Sequence, residues 1–450
     1  MSSIFTQTTN PVFTKQSINE FFVEPMFLAE DIRGAITVRT DIKGTEKLNH
    51  ISRPSMITKP KVAAGFNPTG TFALTYQDIT VKPMAIEFEQ NGRDFWGAIV
   101  QQLLATGYKE DDVEQMKNPD IWNKIMLPII AQAGQKDLIR QMFFADQFHE
   151  TLVSSNPNGT IDENYSGYTG FMTHFLRDVA NATIPASQHV RIQTATSSVK
   201  KEQIITYTAG TDTKIGITIN GILYDQAYAN SATVTVANWL ATHKTNIEAR
   251  AGMNGIIVTN PSGAQIKLVS RYAGQDFTLT YAVTGTGSFA SSGLISPVKP
   301  GSLAVDEADA TLEAMIDNML PELTEFNPVF MLTSSLYRNL VHTFKKRGTD
   351  LADSVLLNDF KVPSYEGIPI LVRPDWDIWI ASSYNGLLPH RALLTTQKNL
   401  LFGTDGTSDS EMIETWYNPD IQQRRYRVQY KAQTAYLHKE LLVLAGFSDS

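Results

Sequence analysis

The stretch RALLTTQKNLLFGTD, residues Arg391 to Asp405, carries an apolar run, a Gly and an acidic end near the close of a 450-residue chain. It reads as strand, with no catalytic motif in it. Just beyond it, QQRRYRVQYKAQ (Gln422 to Gln433) alternates strictly. Tyr426, Val428 and Tyr430 fall on one strand face, and Arg425, Arg427, Gln429 and Lys431 on the other. A basic strand face in a chain of formal net charge -8 asks for acidic partners. Acids on neighbouring subunits supply them on one reading. On the other, the face is the ordinary wet side of an antiparallel sheet. The sequence fits both.

Composition narrows the function classes. With 42% hydrophobic residues the chain can bury a large core, and its length suggests two or three domains. Net acidity argues against a nucleic-acid binder, whose affinity comes from Lys and Arg releasing counterions. The absence of cysteine excludes disulfides, thiol catalysis and Cys-based zinc sites. MSSIFTQTTN has no basic leader, and LLVLAGF is far short of the ~20 apolar residues that span a bilayer. The expectation is a soluble protein folded in a cytoplasm.

Residues 1–29 mix polar residues with isolated aromatics and read as an arm. Residues 30–90 read as an extended hairpin: Ile36 and Val38, then Phe72, Leu74 and Tyr76, alternate with polar residues around the Pro- and Gly-rich RPSMITKPKVAAGFNPTG. Such a ribbon is marginal alone in water, so it is either a loose surface loop or ordered by lying on another subunit. In DFWGAIVQQLLA, Trp96, Ile99, Val100, Leu103 and Leu104 form a helical stripe. Asn118 and Pro119 mark the start of a further helix, and Pro128 and Gly134 predict that it is broken into two or three pieces before Ala145. GFMTHFLRDVANA reads as another helix.

The composition shifts at 195–300, where 13 charged residues stand against 71 in the rest of the chain. This segment reads as a separate small domain. Asn220-Gly221 predicts a two-residue hairpin pairing Ile219 with Ile222 and Ile217 with Tyr224. Val236, Trp239, Leu240 and Ile247 stripe a helix, and IIVTNPSGAQIKLVS and DFTLTYAV supply further strands. TATSS and TGTGSFASSG read as flexible joints on either side. Beyond them, Asp306, Glu307 and Asp309 suit the positive N-terminus of a helix faced by Leu312, Met315, Ile316, Met319 and Leu323. NPVFMLTS is a buried strand leading into SLYRNLVHTFKKRG, with Thr333 as cap, Leu336, Leu340 and Phe344 inward, and Gly348 as stop.

Motifs for chemistry are lacking. Lys345, Lys346 and Arg347 read as the basic end that complements a helix C-terminus, with a phosphate clamp as the alternative. The eight histidines form no HExxH pair or close triplet, and TGTGSFASSG lacks the Lys of a phosphate loop. DGTSDSE (Asp405 to Glu411) does not fit the spacing of a calcium loop and reads as a solvated turn. GxSxG is absent. No catalytic, cofactor or metal residues are assigned.

In the order of these parts the chain resembles the major capsid proteins of tailed bacteriophages, of the Hong Kong 97 fold. The phrases that carry the likeness are ITVKPMAIEFEQ, NPVFMLTSSLYRNL, YEGIPILVRPDW, and RALLTTQKNLLFGTD leading into ETWYNPDIQQRRYRVQYKAQTAYLHKELLVLAGF. The resemblance covers 1 to about 190 and 303 to 450. It implies an α+β chain with an N-terminal arm (1–29), an extended hairpin (30–90) and a peripheral domain with a long helix and long strands (91–165 and 409–440). It also implies an axial domain (166–194 and 301–408) and a C-terminal strand and tail (441–450), with 195–300 as an α+β insertion. RALLTTQKNLLFGTD becomes a core strand pair of the axial domain. Arg425, Arg427, Lys431, Phe72, Leu74 and Tyr76 become candidate intersubunit contacts.

The implied function is a non-enzymatic subunit that self-assembles, as hexamers and pentamers, into an icosahedral head shell around double-stranded DNA. It would be made in the bacterial host cytoplasm and end in the virion. The implied partners are copies of itself, a portal protein, a separate scaffolding protein and decoration proteins, with no membrane and no sequence-specific DNA contact. Nothing in the spacing of Lys59 and Lys61 carries over the Lys-Asn cross-link of some relatives. The alternatives are an encapsulin-like nanocompartment shell, or a surface or glycan-binding protein acting through the insertion.

Overall fold

The computed structural model describes residues 35–40, 42–51, 74–91, 119–146, 164–248, 255–347, 363–383, 386–405, 413–421 and 423–448. The arm, the hairpin tip with Phe72, the DFWGAIVQQLLA stripe and most of DGTSDSE lie outside them. In chain order the strands are β1 Thr37–Arg39, β2 Thr45–Ile51, β3 Leu74–Thr80, β4 Lys82–Asn91, β5 His189–Val190, β6 Glu202–Thr208, β7 Asp212–Ile219, β8 Ile222–Ala227, β9 Ile256–Thr259 and β10 Gln265–Ser270. They continue with β11 Leu279–Gly285, β12 Ser288–Ile295, β13 Pro328–Thr333, β14 Ser364–Tyr365, β15 Ile368–Arg373, β16 Ala392–Thr396, β17 Leu400–Thr404, β18 Ile413–Asn418, β19 Gln423–Tyr436 and β20 Leu442–Ala445. The helices are α1 Pro119–Phe144, α2 Phe171–Ala180, α3 Ala232–Glu248, α4 Glu307–Asp317, α5 Ser334–Arg347 and α6 Pro374–Ser383.

The chain is α+β and divides into two compact units, one of 1–142 with 398–437 and one of 143–397 with 438–450. The division falls inside RALLTTQKNLLFGTD, which corrects the expected strand pair. β16 and β17 are both strands and both buried at every position, but they belong to different sheets. β16 lies between β13 and β20, whereas β17 lies between β1 and β19. A three-residue link suits a hairpin, which is why sequence reading joins the two strands. Each instead has a neighbour on both sides already, so no edge is left for the other.

In the first unit a five-stranded sheet runs β1-β17-β19-β18, with β4 also paired to β19. The extended ribbon proper is β2–β3, paired from Thr45↔Thr80 to Ile51↔Leu74, so 82–91 is sheet rather than hairpin. α1 begins at Pro119 as read, but it is one continuous helix of 26 residues. Pro128 and Gly134 each cost helix stability, about 3 and 1 kcal/mol respectively. The burial of Leu138 and Met142 offsets part of that cost.

In the second unit a six-stranded sheet runs β14-β15-β13-β16-β20-β5. Its core joins Phe330, Leu332, Leu394 and Val443 to Leu312 and Met315 of α4 and to Leu336, Leu340 and Phe344 of α5. The helix starts are closed by side chains from elsewhere in the fold. Ser334 N–H donates to Asp377 Oδ2 (2.8 Å), the Thr333 hydroxyl pairs with Ser335 Oγ (3.0 Å), and Ala308 N–H donates to Asn339 Oδ1 (3.1 Å). Glu307 accepts from Gln193 N–H, and Asp309 accepts from Tyr365 Oη–H. Arg391 is fully buried; its Nε donates to Leu388 O (2.9 Å), its Nη2 donates to Leu387 O (3.2 Å), and its guanidinium lies near the rings of Phe144 and Phe447.

Residues 202–295 form two sheets, β12-β6-β10-β9 and β11-β7-β8, packed with α3. Their core of Ile205, Tyr207, Ile217, Trp239, Val258 and Leu268 draws only on this segment. The Asn220-Gly221 turn pairs Ile219 with Ile222 and Ile217 with Tyr224, both turn residues having positive φ. TGTGSFASSG is no flexible joint. It is the end of β11, a turn and most of β12. The segment is joined to the rest of its unit by a bridged ribbon, Val199↔Val298 and Thr194↔Leu303. Where β6 and β12 turn over into β7 and β11, the Asp212 carboxylate accepts from Gly210 N–H, Gly287 N–H and Tyr207 Oη–H. No Cβ fits at Gly210 or Gly287.

The Gly210 amide, then the Tyr207 hydroxyl, hold the Asp212 carboxyl below its ordinary range. A depressed carboxyl contributes stability that is present above the unfolded value and is lost as pH falls through the folded one. Melting followed by near-ultraviolet circular dichroism should therefore show wild type losing more stability than Asp212→Asn between about pH 6 and about pH 3, with Asp212→Asn the weaker at the upper end. Parallel acid limbs would show that the clip carries no linkage.

Candidate assembly surface

The odd-numbered face of β19 holds Arg425, Arg427 and Lys431 of the candidate residues, and its alternation follows from period 2. Even positions Arg424, Tyr426 and Val428 are buried, and Arg424 Nε donates to Thr415 Oγ1 (3.0 Å). Burial pushes the Tyr426 hydroxyl up to about 12, with Arg424 opposing, and burial also raises Tyr430, with Asp137 adding to it. Both phenols are thus neutral throughout the physiological range.

On the odd face Arg425 and Arg427 find their acids within the same chain. Arg425 Nε meets Glu89 Oε2 at 3.2 Å and Arg427 Nε meets Glu87 Oε1 at 2.8 Å, directly across the β4–β19 ladder. Arg427 also approaches Glu414 at 3.9 Å from β18 and lies 5.6 Å over the Trp416 ring. A shallow groove of about 330 Å³ runs between these side chains. The sequence fits acids on a neighbour and a wet sheet face alike, because only the register of ITVKPMAIEFEQ against β19 sets Glu87 and Glu89 opposite the arginines. The Glu at every second position of EFE was the available signal.

Farther along the same face, Gln433 and Ala435 lie opposite Gly403 and Leu401 and are covered by the root of the β2–β3 ribbon. Ile42, Leu48, Ile79 and Val81 pack there, Ile42 N–H donates to Thr404 O (3.2 Å), and Val81 N–H donates to Gly44 O (3.1 Å). A Cβ on Gly403 would stand 2.7 Å from Ile42 Cδ1 and 2.8 Å from Ile79 Cδ1. The glycine thus lets the root approach the sheet. A Gly inside the apolar run LLFGT was its sequence signal.

Lys431 marks the boundary between the open and covered parts of the face, bonded to Asp405 Oδ2 at 2.7 Å. Asp405 is buried, which corrects the solvated turn expected at that position; with the side chain 1% exposed, its charge needs the Lys431 partner. On the ribbon, Tyr76 is 62% exposed with Lys47 Nζ 4.5 Å over its ring. Leu74 lies in β3. Phe72 is outside the described residues. The structure thus brings Arg425, Arg427 and Lys431 to one face.

Among the described residues no group of three or more His, Asp and Glu could hold a metal ion, and no helix is long and apolar enough to cross a membrane.

No protein-family model matches the chain, and no curated protein matches it. Its fold is similar to those of chains in several solved structures. A chain of the satellite phage P4 procapsid, a structure that includes the size determination (Sid) protein, superposes with a TM-score of 0.42 at 10% identity, over 97% of this chain and 99% of that one. One from Mycobacterium phage Ogopogo gives 0.40 at 8%, over 93% and 91%. One from the holo-SrpI encapsulin complex of Synechococcus elongatus gives 0.37 at 8%, over 94% and 88%. All three superpositions are loose.

The close approach at Gly403 is directly testable. Gly403→Val overpacks the root against Ile42 and Ile79 and should cost about 1–3 kcal/mol in urea unfolding. The β2–β3 amides should then exchange faster than those of β18. Unchanged stability and exchange would mean that the root is not held through this contact.

Proposed function

We propose that the chain is a non-enzymatic shell subunit of the Hong Kong 97 fold, assembling with copies of itself into the closed head of a tailed bacteriophage around double-stranded DNA. The observation that carries this reading is the β2–β3 ribbon. Its root is buried on the sheet, yet its strands pair with no other strand among the described residues and leave Tyr76 in solvent. A two-stranded ribbon of this kind gains order from a neighbouring molecule. In this reading Phe72, Leu74 and Tyr76 meet the adjacent subunit, net acidity keeps the wall from gripping packaged DNA, and portal, scaffolding and decoration proteins are the further partners. Residues 195–300 act as a module set into the axial domain.

Expression of the full chain, alone and with a candidate scaffolding protein, followed by negative-stain microscopy, tests the reading. Closed particles are the expected result. Particles that enclose a protein cargo rather than DNA would make the chain a nanocompartment shell. A monodisperse monomer under every condition would overturn both.

Arg425, Arg427 and Lys431 are proposed to meet a neighbour in addition to their in-chain acids. Reversing both arginines and their three acids (R425E, R427E, E87R, E89R, E414R) keeps every in-chain ion pair of this face, so the fold should survive. Assembly should fail, since like charges at a contact cost several kcal/mol. Normal particles from this variant would confine the ladder to its own sheet.

A further inference from the structure

The two sheets of 202–295 differ in how their edges are finished. On one side α3 covers them. Trp239 Nε1 donates to Tyr224 O (3.1 Å) and His243 Nε2 lies 2.8 Å from Asp225 O, both on β8. Glu248 Oε1 accepts from Val258 N–H (3.0 Å) on β9. The other side is bounded by β11 and β12, which are joined by the Asp212-clipped turn. Among the described residues β12 pairs with β6 and with no other strand.

Edge strands are normally guarded by charge, by Pro or by covering elements, because a row of open backbone groups is a template for pairing. From Phe277 to Val298 there is no charged residue at all. Of β12 only Phe289 is half-buried, packed on Tyr207 and Tyr281, and every other residue of the strand is exposed. Leu294 is 61% exposed, Ile295 43% and, just past the strand, Val298 46%. The register against β6 is regular from Ser288↔Thr208 to Ser292↔Ile204 and shifts beyond it at Gly293. Five residues in regular register, open on one edge and followed by exposed apolar side chains, are therefore available for pairing.

We propose that β12 is a self-association strand, pairing antiparallel with β12 of a second copy of this chain about a two-fold axis. The absence of charge selects this occupant. An acidic or basic strand finds nothing here to neutralise it, while an identical strand meets no like-charge repulsion across the pair. A two-fold arrangement also needs only one patch, since the same residues serve both copies. The pairing requires two copies and no closed shell, so it stands or falls separately from the function proposed above.

The chain has no cysteine, so single cysteines give an unambiguous readout. Ala290→Cys, Ser291→Cys and Ser292→Cys are placed one at a time in the full chain, with Thr245→Cys on the exposed side of α3 as a collision control. Mild oxidation should link at least one β12 position into dimers on the order of a hundredfold faster than the control, the gain from holding two groups together. Ser288→Lys with Leu294→Lys, added to the fastest cysteine variant, should bring its rate down to that of the control while circular dichroism stays unchanged. Linking no faster than at Thr245→Cys at all three positions overturns the proposal. So does protection of β12 amides in assembled material without such linking, which would place an unlike strand on this edge.

Discussion

The first unit hangs on the register of β19. Its residues pair with β4 from Gln423↔Asn91 to Ala432↔Lys82, with β18 from Gln423↔Asn418 to Val428↔Ile413, and with β17 from Ala432↔Thr404 to Tyr436↔Leu400. A slip of one residue would send Arg424 and Tyr426 to the open face and bring Arg425 and Arg427 inward, a cost no surface ion pair could repay. Ladder hydrogen bonds over the strand's length and the burial of its even positions fix that register together. The charged rungs then follow from it, and at exposures of 37% to 60% they each contribute little alone. Their part is to match partners, since only the native register sets each arginine opposite a glutamate.

The second unit relies more on side chains that complete distant elements. Asp377 on α6 closes the start of α5, Asn339 on α5 closes the start of α4, and Glu307 on α4 receives the amide of Gln193. Each tie satisfies a backbone donor that a helix or strand end would otherwise leave open. Arg391 does the same for the carbonyls of Leu387 and Leu388, the latter at positive φ. Its long side chain fills core volume between two aromatic rings as well as bonding, so a Lys there would lose the planar fork.

Most strands and helices are legible in the sequence, because period 2 and period 3.6 are local properties. The even and odd faces of β19, the Asn220-Gly221 hairpin and the inward faces of α4 and α5 are of this kind. What could not be read locally was which strand adjoins which. The short Gln397-Lys398-Asn399 link looked like a hairpin, although its flanking strands enter separate sheets. The acids opposite Arg425 and Arg427 lie more than three hundred residues away in sequence. Asp405 looked solvated because its neighbours are polar, and only the Lys431 contact shows otherwise. Pro128 predicts a broken helix because its penalty is local, whereas the burial of Leu138 and Met142 that offsets part of it is set by the fold.

The bridged ribbon at Val199↔Val298 and Thr194↔Leu303 bears on the order in which the chain folds. β5 precedes residues 195–300 and α4 follows them, yet the two pack together around one core. Were 195–300 still unfolded, joining them would mean closing a loop of about a hundred residues, costing roughly 2 to 3 kcal/mol more than a short link. Once the segment has formed its own core and zipped its ribbon, the two ends are neighbours and that entropy is already spent. The segment thus acts as a long-range staple made of folded protein, doing without cysteine what a disulfide across the same span would do.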